Sequence, residues 1–269
     1  MRIDQINKRM IHPGRHIPVN LWRMDNPSLV EDEILSFNYD EDLMEKILSA
    51  FHYICQDYSE KGFLVTGLFG VGKSHFLKYV LFCVTPNYQQ KAFLHLSQGL
   101  TQCTNDPLVS SDMALLQHEI ECMSIDTITI DTCQISSPIN NLYYWIYKKL
   151  LDLKGMGDKP GRILGRTSEP EINLDTICNE LHLIVSEKPK NYRLVFFFED
   201  LDLSLGRNMT SIIQLLELLR MFHNEFAGII RVFCSCQMGG VFYAYYPELY
   251  KVINSQMNCY RLFVREQSL

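Results

Sequence analysis

Five short apolar runs punctuate the chain, at residues 63–66, 127–130, 194–198, 229–233 and 260–264. They are rich in β-branched and aromatic residues and mostly lack polar alternation, so they predict strands covered on both faces. Helix-period stretches lie between them, at residues 73–82, 112–123, 139–153, 174–186 and 212–226. In the last of these Ile212, Leu215, Leu216, Leu219 and Phe222 share one face. Strands alternating with helices predict an α/β architecture with a parallel sheet and right-handed crossovers.

The first part of the chain reads differently. Residues 1–39 hold Pro13, Gly14 and Pro18 among scattered apolar residues and predict an irregular arm. Residues 40–58 predict a helix whose first turn carries Asp40, Glu41 and Asp42. Residues 40–269 are then one domain, with polar surface excursions near 101–111 and 154–170.

Composition narrows the class. A chain of 269 residues with 47% hydrophobic and 21% charged side chains can bury one large core. A net charge of −6 argues against coating nucleic acid through bulk positive charge, so any DNA contact is indirect or made by a local patch. Nine cysteines without a CxxC pair fit neither a disulfide framework nor a four-cysteine zinc site and point to reduced thiols in the cytoplasm. The longest apolar run, Leu194 to Phe198, is far short of the roughly 20 residues a membrane helix needs, and no membrane partner is expected.

One segment carries specific chemistry. Gly67-Leu68-Phe69-Gly70-Val71-Gly72-Lys73-Ser74 matches GxxxxGK[ST] in full, directly after a predicted strand and directly before a predicted helix. Glycine suits such a loop because backbone N–H groups wrap a phosphate at distances a side chain would obstruct. The helix N-terminus adds partial positive charge. Gly67, Gly70, Val71, Gly72, Lys73, Ser74 and His75 are therefore the candidate ATP-binding residues, with Lys73 directed at the β/γ-phosphates and the Ser74 hydroxyl at Mg²⁺. His75 either adjoins the nucleotide or packs in the helix.

Hydrolysis also needs carboxylates for a metal-bound water and for the attacking water. The run 194–198 ends in Glu199 and Asp200, followed by Leu201 and Asp202. Glu199 and Asp200 are the candidate catalytic and Mg²⁺-coordinating pair, although acids at a strand end also cap helices. Their order inverts the usual Asp-Glu, and the shorter Asp at the water-polarising position predicts slow turnover. Asp202 offers an alternative partner to Asp200. Gln237 or Ser235, at the end of the fourth strand, is the candidate γ-phosphate sensor, while Asp131 ends the second strand and suits a turn.

Other features are less directive. Cys234 and Cys236 share a strand face without a nearby histidine, Tyr243, Tyr245, Tyr246 and Tyr250 form an aromatic patch, and Arg162, Arg166, Arg207 and Arg220 are available as arginine fingers.

The spacing of cradle, acidic strand and sensor resembles the additional-strand P-loop ATPases, which include AAA+ and STAND proteins. More narrowly, GLFGVGKSHFL (Gly67 to Leu77), the Ile128-Thr129-Ile130-Asp131 strand followed by an amphipathic helix, and Cys236-Gln237 look like the N-terminal ATPase domain of BREX phage-defence P-loop ATPases. That resemblance implies a three-layer P-loop NTPase fold with a five-stranded parallel sheet in the order 5-1-4-3-2. It also implies ATP and Mg²⁺ as cofactors, other protein subunits as partners, homo-oligomerisation and a place in bacterial anti-phage defence. Two departures stand out: the Glu199-Asp200 order, and the absence from this sequence of a C-terminal helical lid. A catalytically inert nucleotide-bound scaffold and a small-molecule phosphotransferase remain alternatives. No NKxD base-recognition motif follows the sheet, which disfavours a GTPase.

Overall fold

Apolar residues on successive strand positions must be buried on opposite faces, and that alternation divides the molecule into two cores. The structure, a computed structural model, describes Met24 and residues 26–58, 61–68, 70–104, 106–131, 141–156, 172–201, 209–237 and 247–262. Its strands are β1 (Gly62–Gly67), β2 (Ser124–Asp131), β3 (Tyr192–Glu199), β4 (Ile230–Gln237) and β5 (Met257–Arg261). All pairs are parallel, in the order β2-β3-β4-β1-β5, which from the other edge is the expected 5-1-4-3-2.

The helices are α1 (Pro27–Ser36), α2 (Glu41–Cys55), α3 (Lys73–Val84), α4 (Pro86–Cys103), α5 (Pro107–Cys122), α6 (Leu142–Leu153), α7 (Leu174–Ser186), α8 (Met209–Phe226) and α9 (Pro247–Ser255). Helices α1–α5 pack on the sheet face that carries Phe63, Val65, Val195, Phe197 and Phe233. Helices α6–α9 cover the other face, which carries Leu64, Ile128, Phe196, Phe198 and Val232. This is a three-layer α/β fold consistent with a P-loop NTPase. Among the described residues no helix is long and apolar enough to cross a membrane.

An aromatic ladder crosses the sheet centre. Phe197 on β3 lies 5.2 Å from Phe233 on β4, Phe233 lies 5.1 Å from Phe63 on β1, and Phe63 stacks on Tyr260 of β5 at 3.9 Å. Phe76 of α3 stacks on the same Phe63 at 6.0 Å. Cross-strand aromatic contacts of this kind pin register, and through Phe76 they fix the helix that follows the cradle.

The opposite end of the sheet is held by two buried arginines inside apolar strands. Arg231, fully buried, donates to the carbonyls of Tyr53 (2.7 Å), Ala227 (2.8 Å) and Gln56. Arg193 donates to Ile54 and Gln56, each at 3.3 Å. The carbonyls that end α2 have no partners within the helix, and the guanidinium charges complement its dipole.

Several elements differ from the sequence reading. Within the expected irregular arm, Pro27–Ser36 is helical, because Asn26 caps it and Pro27 occupies the first turn, where its missing N–H costs nothing. Helix α4 fills a stretch left unassigned, and it shortens the expected 101–111 excursion to the connection between Cys103 and Pro107. Helix α5 begins earlier than expected, at Pro107, with Asp106 as its cap. Strand β5 sits three residues earlier than the apolar run suggested. The 157–170 part of the second excursion lies outside the described residues, as do residues 1–23.

Candidate functional site

In a parallel sheet every strand ends at the same edge, and in open α/β folds ligands bind outside the carboxyl ends of the strands. The end of β1 is Gly67, in register with Gln237, the end of β4. Asp131 and Glu199 end β2 and β3 in register with each other. Neighbouring strands lie about 4.8 Å apart, so Gln237 adjoins the first glycine and Glu199 lies one strand further on.

The loop from Gly67 to α3 depends on its glycines. A Cβ on Gly67 would approach Val71 Cγ1 at 2.8 Å and the Leu262 carbonyl at 2.9 Å. Gly70 and Gly72 have φ of +78° and +97°, values that disfavour an L side chain, and a Cβ at either would meet nothing within 4 Å. Among the described residues nothing fills the space over them. Gly72 begins α3 without a side-chain cap, and the first amides of any helix have no acceptor within the helix itself.

Lys73 is 9% exposed, and its ammonium donates to the carbonyls of Gly67 (3.2 Å) and Leu68 (2.9 Å). The cation is thus held against the loop that precedes it. Val71 and Ser74 are half-buried at the loop, whereas His75 is exposed on the first turn of α3. Phe69 lies outside the described residues.

Glu199 is buried, at 4% exposure, and Asp200 is half-buried with φ of +53°. Asp is among the few non-glycine residues that tolerate the left-handed region. Its amide donates to the Ser235 hydroxyl at 2.9 Å, and Ser235 is itself 1% exposed. Of the two sensor candidates, Ser235 is therefore engaged beneath the acidic turn, and Gln237, half-buried, stands at the sheet edge beside the cradle. The structural role of Ser235 and the left-handed Asp200 were missed in the sequence. Their only signal there was a small hydroxyl between Cys234 and Cys236 and an Asp directly after a strand.

Asp202, Arg162, Arg166, Arg207, Tyr243, Tyr245 and Tyr246 lie outside the described residues. Cys234 and Cys236 are buried and in no disulfide, and burial pushes the Cys234 thiol well above its ordinary range, away from ligand chemistry. Among the described residues no group of three or more His, Cys, Asp or Glu could hold a metal. Mg²⁺ is commonly bound by one or two protein oxygens plus substrate phosphates and waters; Ser74, on the first turn of α3, and Glu199 and Asp200, at the end of β3, carry hard oxygens of that kind.

No protein-family model matches the chain, and no curated protein does. Among solved structures it is similar to the Aeropyrum pernix ORC1 protein in complex with DNA, at 10% identity and a TM-score of 0.47 over 84% of this chain and 46% of that one. It is also similar to the Aeropyrum pernix ORC2 protein in ADPNP–ADP complexes (13%, TM-score 0.45, 86% and 50%) and to a chain of Drosophila ORC bound to DNA (9%, TM-score 0.40, 82% and 92%). The chain spans about half the length of the two Aeropyrum proteins. Likenesses of this extent assign no residue and no ligand to this chain.

Proposed function

We propose that the chain is an ATP-binding P-loop module, turning over slowly, whose nucleotide state alters contacts with protein partners. The observation that carries this reading is the loop between β1 and α3. Two glycines of positive φ lead into a helix that has no side-chain cap, and the Lys73 ammonium lies against the same loop. Fixed amides and one mobile cation suit a triphosphate tail.

In this reading Gly70, Val71, Gly72 and Lys73 bind the β/γ-phosphates and the Ser74 hydroxyl faces the metal. Glu199 and Asp200 hold the metal-bound and attacking waters, and Gln237 contacts the γ-phosphate end. Bound Mg²⁺ would neutralise phosphate charge as a Lewis acid. The inverted acidic order supports slow hydrolysis. A role in anti-phage defence, with DNA reached through partners, rests on the sequence resemblance alone.

Phosphate release by wild type, Lys73→Ala and the Glu199→Ala/Asp200→Ala double variant tests the proposal. Slow release from wild type, lost in both variants, is expected. Tight ATP binding without release in wild type would favour the inert scaffold, a reading to which the buried Glu199 and the constrained Asp200 backbone lend support. Phosphate transfer to a metabolite would favour the phosphotransferase.

A further inference from the structure

We infer that Tyr39, Tyr79 and His95 form a proton-ordered latch, with His95 as its terminal donor, that fastens the segment before α2 to the helix that follows the cradle. Tyr39 belongs to the connection between α1 and α2, Tyr79 to α3 and His95 to α4. The Tyr39 hydroxyl hydrogen-bonds the Tyr79 hydroxyl and lies 2.7 Å from His95 Nδ1. The Tyr79 hydroxyl lies 2.7 Å from the Ala92 carbonyl of α4 and 3.2 Å from the same Nδ1.

The protons available fix the direction of these bonds. A carbonyl can only accept, so the contact with Ala92 takes the single proton of Tyr79. The contact between the two hydroxyls must then take the proton of Tyr39, because two oxygens that close repel when no proton lies between them. Tyr39 has none left for His95, and the remaining contact requires an N–H at Nδ1. The chain runs from His95 Nδ1 through Tyr39 and Tyr79 to the Ala92 carbonyl, and the neutral imidazole carries its lone pair on Nε2. Burial raises both phenols, so each keeps the proton this order assigns to it.

The segment that the latch fastens is thinly held. Helix α1 buries Val30 and Ile34, whereas α2 buries seven residues. Glu33 pairs with the buried Lys78 of α3, and Phe37 stacks on Tyr79 at 4.3 Å. Glu31 pairs with Lys91 of α4, but both side chains are largely in solvent and such a pair adds little. Regions with few buried apolar contacts open at the lowest cost, so release of the latch frees residues 27–39 while α2 stays packed. Tyr79 shares α3 with Lys73, and the latch thereby joins this segment to the helix on which the cradle is built.

Two measurements on the full chain test the latch. Long-range ¹H–¹⁵N NMR at about pH 8, where His95 is neutral because burial lowers it from 6.5, is expected to place the ring proton on Nδ1. A proton on Nε2 would overturn the order. Hydrogen exchange of the α1 amides then reads the latch itself. Asn and Asp have similar helix preferences, but the Asn side chain can still donate to Tyr39 whereas an ionised Asp only accepts. His95→Asp and Tyr39→Phe should each speed exchange across α1 by about fivefold or more, with α2 unchanged, and His95→Asn should stay within about twofold of wild type. Protection in His95→Asp equal to or above that in His95→Asn, or a Tyr39→Phe variant in which α1 exchanges as in wild type or opens together with α2, would overturn the inference. None of these outcomes depends on nucleotide binding at the cradle.

Discussion

The hydroxyl of Ser235, on β4, accepts the amide proton of Asp200, the residue that follows β3, at 2.9 Å. That bond crosses between adjacent strands and holds Asp200 in the left-handed region, which costs a non-glycine residue about 1–2 kcal/mol. The acidic turn is therefore set from beneath by a residue that does not itself face the cradle. Ser235→Ala is expected to lower stability by about 1 kcal/mol and to reduce phosphate release more than ATP affinity, while Ser235→Thr preserves both. Urea unfolding beside single-turnover assays checks this. A variant that loses stability but keeps full turnover would leave Ser235 a structural role only.

Asp200→Asn separates backbone from charge. Asn tolerates the left-handed conformation about as well as Asp, so the folded state should survive with a change within about 0.5 kcal/mol. Phosphate release should nonetheless fall by tenfold or more, about 1.4 kcal/mol of barrier. If Asp200→Asn turns over normally, the carboxylate that acts lies elsewhere in the turn.

Lys73 is held by two carbonyls of its own loop, so its charge stands at the cradle before any nucleotide arrives. Lys73→Ala should weaken ATP binding by about 10–100-fold, or roughly 1.4–2.7 kcal/mol. Lys73→Arg should not restore it, because a planar guanidinium does not replace a compact ammonium in a close-fitting loop. Fluorescence titration with a labelled ATP analogue reads both, and thermal stabilisation by ATP-Mg²⁺ that persists in Lys73→Ala would contradict the cradle assignment.

The parts of the molecule that were legible in the sequence are those where one local pattern has one physical solution. Strand β3 is buried at every position, so its centre, Leu194 to Phe198, reads as an unbroken apolar run, and the cradle declares itself through glycine spacing. Strand β5 is an edge strand with Asn258, Cys259 and Arg261 exposed, so the apolar run at 260–264 misplaced it. Helix α4 escaped notice because Gln89, Gln90, Gln98 and Gly99 dilute its period, although Tyr88, Ala92, Phe93, Leu96 and Leu100 share its buried face. The arginine clamp on α2 was invisible in principle: nothing in strands β3 and β4 reveals that Arg193 and Arg231 end on carbonyls more than a hundred residues away.

Gly99 illustrates a long-range demand on a helical glycine. A Cβ there would come within 2.1 Å of Cδ2 of the Tyr39 ring, whose hydroxyl hydrogen-bonds Tyr79 and, at 2.7 Å, His95 Nδ1. Gly99→Ala should therefore destabilise by about 2 kcal/mol through overpacking. In a Tyr39→Ala background the same change should become neutral or stabilising by up to about 1 kcal/mol, the helix preference for Ala over Gly. A double-mutant cycle measured by urea unfolding decides: additive effects would show that the two residues do not compete for that space.

Alkaline stability follows from the groups at the end of α2. Burial raises the Cys55 thiol from 9.0 to about 12, with Glu119 adding to the effect. Burial likewise raises the Tyr53 phenol from 10.0 to about 12. Both groups keep their protons in the folded state at pH values where the unfolded chain has lost them, so unfolding releases protons and stability falls as pH rises. The contribution is fully present below pH 9 and is lost progressively towards 12. Arg231 acts in the opposite sense, because burial lowers it from 12.5 to about 10 and the unfolded chain then binds the extra proton. That compensation starts only near pH 10, so between 9 and 10 the raised thiols dominate, Cys55 together with buried Cys83 and Cys234. Urea midpoints measured from pH 8 to about 10.5 should fall across this interval in wild type and fall less in Cys55→Ala. A midpoint that stays level to pH 10, or an equal decline in Cys55→Ala, would show that the thiol beside Glu119 is not protected from solvent.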